Sequence, residues 1–162
     1  VNGHGGNNHM LDYFAMSRLD EPTDYIFYHS GIHGKLSEEE NKIINNLLET
    51  DLNGHACELE TSLYMAGCPG KVKLEYAPQQ PVLPQKRFKH LKDVGVNNAL
   101  WWYADYPENV VGNASYASEE KGKVILDIYS KSLARAIKCV KEDDVAPRLQ
   151  EEFLERVKNK GK

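Results

Sequence analysis

The chain is expected to fold as an α/β protein, with helices layered on a mainly parallel sheet. Short runs of β-branched and aromatic residues alternate along it with stretches of helical periodicity, and that alternation builds such layers. The length of 162 residues, with 41% hydrophobic and 27% charged, fits one ordinary globular domain. Collagenous, disulfide-scaffold and largely disordered chains are excluded on the same grounds.

The elements follow in order. After a glycine-rich opening, Met10, Leu11, Phe14 and Ala15 recur at helical spacing to about Leu19, with Asn7 or Asn8 as the cap. Asp24 to His29 is short, aromatic and β-branched, and predicts a strand. Ser37 with Glu40 forms a capping box, and Ile43, Ile44, Leu47 and Leu48 supply the stripe of the helix it starts. Thr61 to Ala66 predicts a helix ended by Gly67 and Pro69, and Val72 to Tyr76 alternates like a strand. Pro78, Pro81 and Pro84 mark an irregular excursion, a candidate functional or subunit-contacting loop. Ala99 to Ala104 predicts a further strand or strand edge, its Trp101-Trp102 assigned to core and interface. Ser118 opens a long helix with Val124, Ile125, Ile128, Leu133, Ile137 and Val140 inward. Pro147 starts a last helix with Leu149, Phe153 and Val157 on one face. Lys158 to Lys162 is a solvated tail.

Charge and cysteine usage narrow the function. The net charge of −4 leaves no basic surplus for phosphates, so neither nucleic acid nor an anionic membrane is an expected partner. No apolar run approaches the roughly 20 residues that span a bilayer. Cys57, Cys68 and Cys139, odd in number and irregularly spaced, fit reduced thiols in the cytoplasm. Asn113-Ala114-Ser115 matches a glycosylation acceptor that stays idle there.

Two segments carry chemistry. In Asn2-Gly3-His4-Gly5-Gly6-Asn7, the glycines let the backbone approach a ligand, and the following helix offers free N–H groups. An imidazole there binds a metal or shuttles a proton, or is simply exposed on a tight loop. Gly54-His55-Ala56-Cys57-Glu58-Leu59-Glu60-Thr61-Ser62 gathers a histidine, a thiol and two carboxylates. Glu60 suits a site carboxylate and His55 an acid or base, while Glu58 fits a surface helix start favoured by the dipole. Cys57 is a small buried residue or, as the minority alternative, a nucleophile beside His55. His9, His29, His33 and His90 default to structural or surface roles.

Together these segments resemble the creatininase (creatinine amidohydrolase) family, with Cys57 where its pattern has glycine. Val111-Gly112-Asn113-Ala114 through Ala117-Ser118-Glu119-Glu120-Lys121-Gly122 is similar to that family's late glycine turn and long helix. The resemblance implies a three-layer α/β/α fold and a divalent-metal hydrolase (Zn, Mn or Fe) acting on non-peptide or unusual C–N amide bonds of a small molecule. It makes His4 a metal ligand, Glu60 a second ligand or site carboxylate, His55 a proton-transfer or substrate-orienting residue, and Gly5, Gly6 and Asn7 the substrate-binding turn. It also implies a homo-oligomer. The family's Glu-x-His pair and bridging Asp would lie upstream of Val1, and creatininase's substrate-side tryptophan has no counterpart beside His55 in sequence. Residues 1–162 are therefore expected to be the C-terminal portion of one creatininase-like domain, with its first strands and an N-terminal segment as partner missing. The alternatives are a non-catalytic binding or assembly module on the same fold, and a thiol enzyme built on Cys57 and His55.

Overall fold

The computed structural model describes residues 1–160; Gly161 and Lys162, the end of the expected tail, lie outside the described residues. Helices dominate: α1 (Asn8–Ser17), α2 (Glu38–Leu47), α3 (Glu58–Gly67), α4 (Lys89–Lys92), α5 (Trp101–Asp105), α6 (Glu119–Glu142) and α7 (Val145–Asn159), with 3-10 turns at Gly5–Asn7 and Leu74–Tyr76. The mainly parallel sheet is not found. Just over half of the described residues are helical, and among them backbone pairs in sheet fashion only at isolated bridges, Asn2 with Gly31 in parallel and Gly112 with both Asn53 and Val82 antiparallel. The expected three-layer architecture is corrected accordingly. No helix among the described residues is long and apolar enough to cross a membrane.

The predicted strands fail for local reasons. A strand needs a neighbour that takes its N–H and C=O groups. Asp24 to His29 bends at Asp24 and Tyr25 and then runs without regular secondary structure, and its side chains find the partners instead. Phe27 meets Phe14 edge-on at 5.0 Å, the Tyr28 hydroxyl donates to Asp143 at 2.6 Å, and His29 lies 3.3 Å from Asp12. Val72 to Tyr76 closes a 3-10 turn before Pro78. At Ala99 to Ala104, Asn98 takes the Leu100 N–H on its side chain and the Trp101 N–H on its carbonyl, which starts a helix turn.

Two compact units divide the chain. Among the described residues, the first comprises 1–36 and 129–160. In it the Asn2 N–H bonds the Ser30 carbonyl at 2.7 Å, the Ser132 hydroxyl donates to the Lys35 carbonyl, and Gln150 reaches Thr23. Val145 and Ala146 N–H groups are received by Asp143, so the start of α7 precedes Pro147. Leu149, Phe153 and Val157 remain substantially exposed along α7.

The second unit comprises residues 37–128. Ser37 and Glu40 form the expected capping box, and Ile44 is the buried point of α2. Where α3 and α6 meet, a Cβ on Gly122 would stand 1.9 Å from the Ser62 carbonyl, so only glycine allows this approach. The Ser62 hydroxyl receives the Ser118 N–H at 3.1 Å. The inward face of α6 runs through Gly122, Ile125, Ile128, Tyr129 and Ser132. Val124, Ile137 and Val140, expected inward, are exposed.

Candidate functional site

The first motif forms a turn in the first unit, tied together by Asn2. Its side-chain oxygen receives the His4 N–H at 3.1 Å and the Asn7 amide at 3.2 Å, while its Nδ2 donates to the His4 carbonyl and to Asn8. His4 is exposed. Its Nδ1 receives the Gly6 N–H at 3.2 Å, and its carbonyl receives the Asn7 N–H. Gly5, Gly6 and Asn7 thus make the 3-10 turn that leads into α1, with the Gly6 and Asn7 amides already bonded within it. Asn7 occupies the cap position of α1 without a side-chain capping bond. The sequence gives Asn2 no signal of this role beyond its place two residues before His4, although a side-chain amide has the donors and acceptors for it.

The second motif lies in the second unit, at the start of α3. His55 Nδ1 lies 3.4 Å from Glu60 Oε2, and the same oxygen receives the Ala56 N–H at 2.9 Å. Both side chains are partly exposed. Asn109 Nδ2 stands 3.3 Å from His55 Nε2, and the Trp102 indole meets the imidazole edge-on at 5.9 Å. The fold therefore brings a tryptophan to His55 from a distant segment. Trp102 donates to Asn109 Oδ1 at 2.7 Å and is packed by Tyr106 and Trp101. Two of the non-glycine residues in left-handed conformation, Ala56 (φ 53°) and Asn109 (φ 57°), flank this imidazole. Strain of this kind persists only where the surroundings hold it and clusters at functional sites.

Glu58 departs from its expected surface role. It is fully buried and receives the Glu49 and Thr50 N–H groups, the Thr50 hydroxyl and Lys121 Nζ, the last at 2.6 Å. Burial pushes its carboxyl upward, but the Lys121 ammonium and the bonds from Thr50 and Glu49 outweigh it and hold it below its ordinary value. Burial likewise pushes the Lys121 ammonium down, and its bonds to Glu49 and Glu58 keep it above its ordinary value. Lys121 also donates to the Tyr116 carbonyl. This knot holds Thr50 and Tyr116 in the lining of a cleft of about 460 Å³, which Asp51, Gln79, Gln80 and Asn113 also line.

Cys57 is buried, its Sγ 3.9 Å from Asn53 Oδ1 and from the Gly54 carbonyl, as befits a small packed residue. Among the described residues, no three His, Cys, Asp or Glu side chains gather to hold a metal. His4 belongs to one unit, and His55 and Glu60 to the other.

A family model described as creatinine amidohydrolase matches residues 1–137. This chain belongs to the creatininase family. A crystal structure of a protein from Bacteroides fragilis NCTC 9343, assigned as a creatinine amidohydrolase, shares the fold with a TM-score of 0.61 at 22% identity. The match covers 88% of this chain and 53% of that one, so this creatininase-family chain spans about half the length of that relative. No curated protein matches it.

Proposed function

We propose that this creatininase-family chain serves a divalent-metal-dependent amidohydrolase that cleaves a C–N amide bond of a small molecule, and that it forms the C-terminal portion of one such domain. The observation that carries the reading is the His55–Glu60 pair, seated in the motif that resembles the family's second signature and flanked by Trp102 and Asn109. In this reading Glu60 is the site carboxylate that orients His55. His55 moves the proton, first as base and then as acid toward the departing nitrogen. Gly5, Gly6 and Asn7 shape the backbone that faces substrate, and His4 is the metal donor this chain offers.

The proposed cofactor is Zn, Mn or Fe, which in such reactions polarises the carbonyl and activates water. A catalytic site normally has at least three protein ligands, and the described side chains do not assemble three. The donors present do not fit a metal site on their own, so no step is assigned to the ion. The same shortfall favours a second reading, a creatininase-fold binding or assembly module without catalysis. Self-association into a homo-oligomer belongs to both.

The test is metal analysis of the full-length protein, with hydrolysis of a panel of cyclic and linear small-molecule amides before and after chelation. Bound metal, chelator-sensitive hydrolysis and its loss in His55→Gln are expected. Metal-free protein that hydrolyses nothing overturns the first reading in favour of the second. Light scattering that finds a monomer removes the oligomer.

A further inference from the structure

We infer that Asn109 is a positioning residue that fixes which nitrogen of His55 carries the proton, and that Trp102 dictates how Asn109 faces. The significance of the inference for catalysis rests on His55 as the proton-transfer group, but the bonding logic stands without it.

One group in this chain of contacts has no choice. An indole N–H donates and never accepts. Trp102 Nε1 lies 2.7 Å from the Asn109 side-chain oxygen, so that oxygen must face the indole. The Asn109 NH2 then faces His55 Nε2 at 3.3 Å. An amide NH2 only donates, so Nε2 must present its lone pair. A neutral imidazole carries one proton, which is thereby assigned to Nδ1. Nδ1 faces Glu60 Oε2 at 3.4 Å, and a carboxylate only accepts. Both ends of the relay thus demand the same tautomer.

The relay is also held in place. Trp102 is packed by the Tyr106 ring at 4.9 Å and the Trp101 ring at 5.5 Å. The Asn109 N–H bonds the Tyr106 carbonyl at 3.0 Å. Asn109 itself sits at φ 57°, a conformation that asparagine tolerates better than most residues. Glu60 is anchored by the Ala56 N–H. The contact between Asn109 and Nε2 is longer than the 2.7 Å indole bond behind it, and both Asn109 and His55 are accessible to solvent. Asn109 therefore keeps Nε2 a proton acceptor in the resting protein and yields it to an incoming donor. His55 is presented as a base through Nε2, with Glu60 behind Nδ1.

The test is nitrogen NMR of the full-length protein with ¹⁵N-labelled histidine, at a pH where imidazoles are neutral, His55 being assigned by loss of its signals in His55→Gln. The expected result is a pyrrole-type signal for Nδ1 and a pyridine-type signal for Nε2, opposite to the Nε2–H form that free histidine prefers. Asn109→Gly, which keeps the left-handed backbone and removes the amide, and Trp102→Phe, which removes the indole donor, should each lower the Nδ1–H form from dominant to minor. A wild-type His55 in the Nε2–H form overturns the inference, and that measurement needs no variant to fold. So do unchanged ring signals in both variants. A protein with the expected tautomer that hydrolyses no amide defeats the proposed function and leaves this inference standing. A hydrolase with the reverse tautomer does the opposite.

Discussion

Glu58 and Glu60 stand two residues apart in the first turn of α3 and lead different lives. Glu58 is fully buried against Lys121 and Thr50, with every neighbour a donor. Glu60 is about half exposed and touches only the Ala56 N–H and the His55 ring among the contacts resolved for it. A buried carboxylate with a full set of donors cannot change partners without exposing an uncompensated charge. A half-solvated one can. The inner side of this helix start is thus committed to holding the fold, and the outer side is left free for chemistry.

Breaking the inner side has the largest expected effect. Glu58→Gln leaves the Lys121 ammonium without its buried partner and should cost about 3–5 kcal/mol, read from the urea midpoint. Its pH dependence follows from the direction of the shift. The folded carboxyl titrates below its unfolded value, so its stabilisation is complete above the ordinary carboxylate range and drains as pH falls through the lower folded value. Melting temperature against pH should fall less steeply in acid for Glu58→Gln than for the wild type. An equal slope in both would remove Glu58 as the group responsible.

Smaller effects sharpen the contrast. Gly122→Ala forces a methyl against the Ser62 carbonyl and should cost about 2 kcal/mol in the same unfolding measurement, since overpacking typically costs that much. Ser37→Ala removes the capping side chain of α2 and should cost about 1 kcal/mol, a calibration from a helix start with no buried charge. On the outer side, Ala56→Gly relieves a left-handed alanine and should stabilise by roughly 0.5 kcal/mol. Glu60→Gln should change stability by about 0.5 kcal/mol or less, as exposed pairs do. A loss from Glu60→Gln as large as that from Glu58→Gln would erase the distinction between the two faces.

What the sequence revealed follows the range of the interactions involved. The capping box of α2 and the run of α6 were legible because their causes lie within a turn or two of each other. The family was legible because its motifs are contiguous. The sheet is not legible in the sequence because residue type signals only a capacity for strand, and pairing depends on a second segment; Asp24 to His29 runs without regular structure and is anchored through its side chains instead. The burial of Glu58 is not legible locally because its partner is Lys121, 63 positions away. The tryptophan at His55 is hidden in the sequence for the same reason, since Trp102 and Asn109 arrive from a different segment of the unit. The Glu60 contacts to Ala56 and His55 lie within five positions, so their proximity is legible in the sequence.

Gly112 has a mechanical consequence. Its N–H and carbonyl exchange both backbone bonds with Val82, its backbone bridges to Asn53, and its neighbour Val111 donates to the His55 carbonyl at 2.8 Å. A Cβ there would stand 2.4 Å from the Leu52 carbonyl, and φ is +100°. The proline-rich loop and the His55 turn are therefore clamped to the same rivet. Any tug on Val82 is delivered through this pair of residues to the backbone of His55, with no side chain needed to carry it.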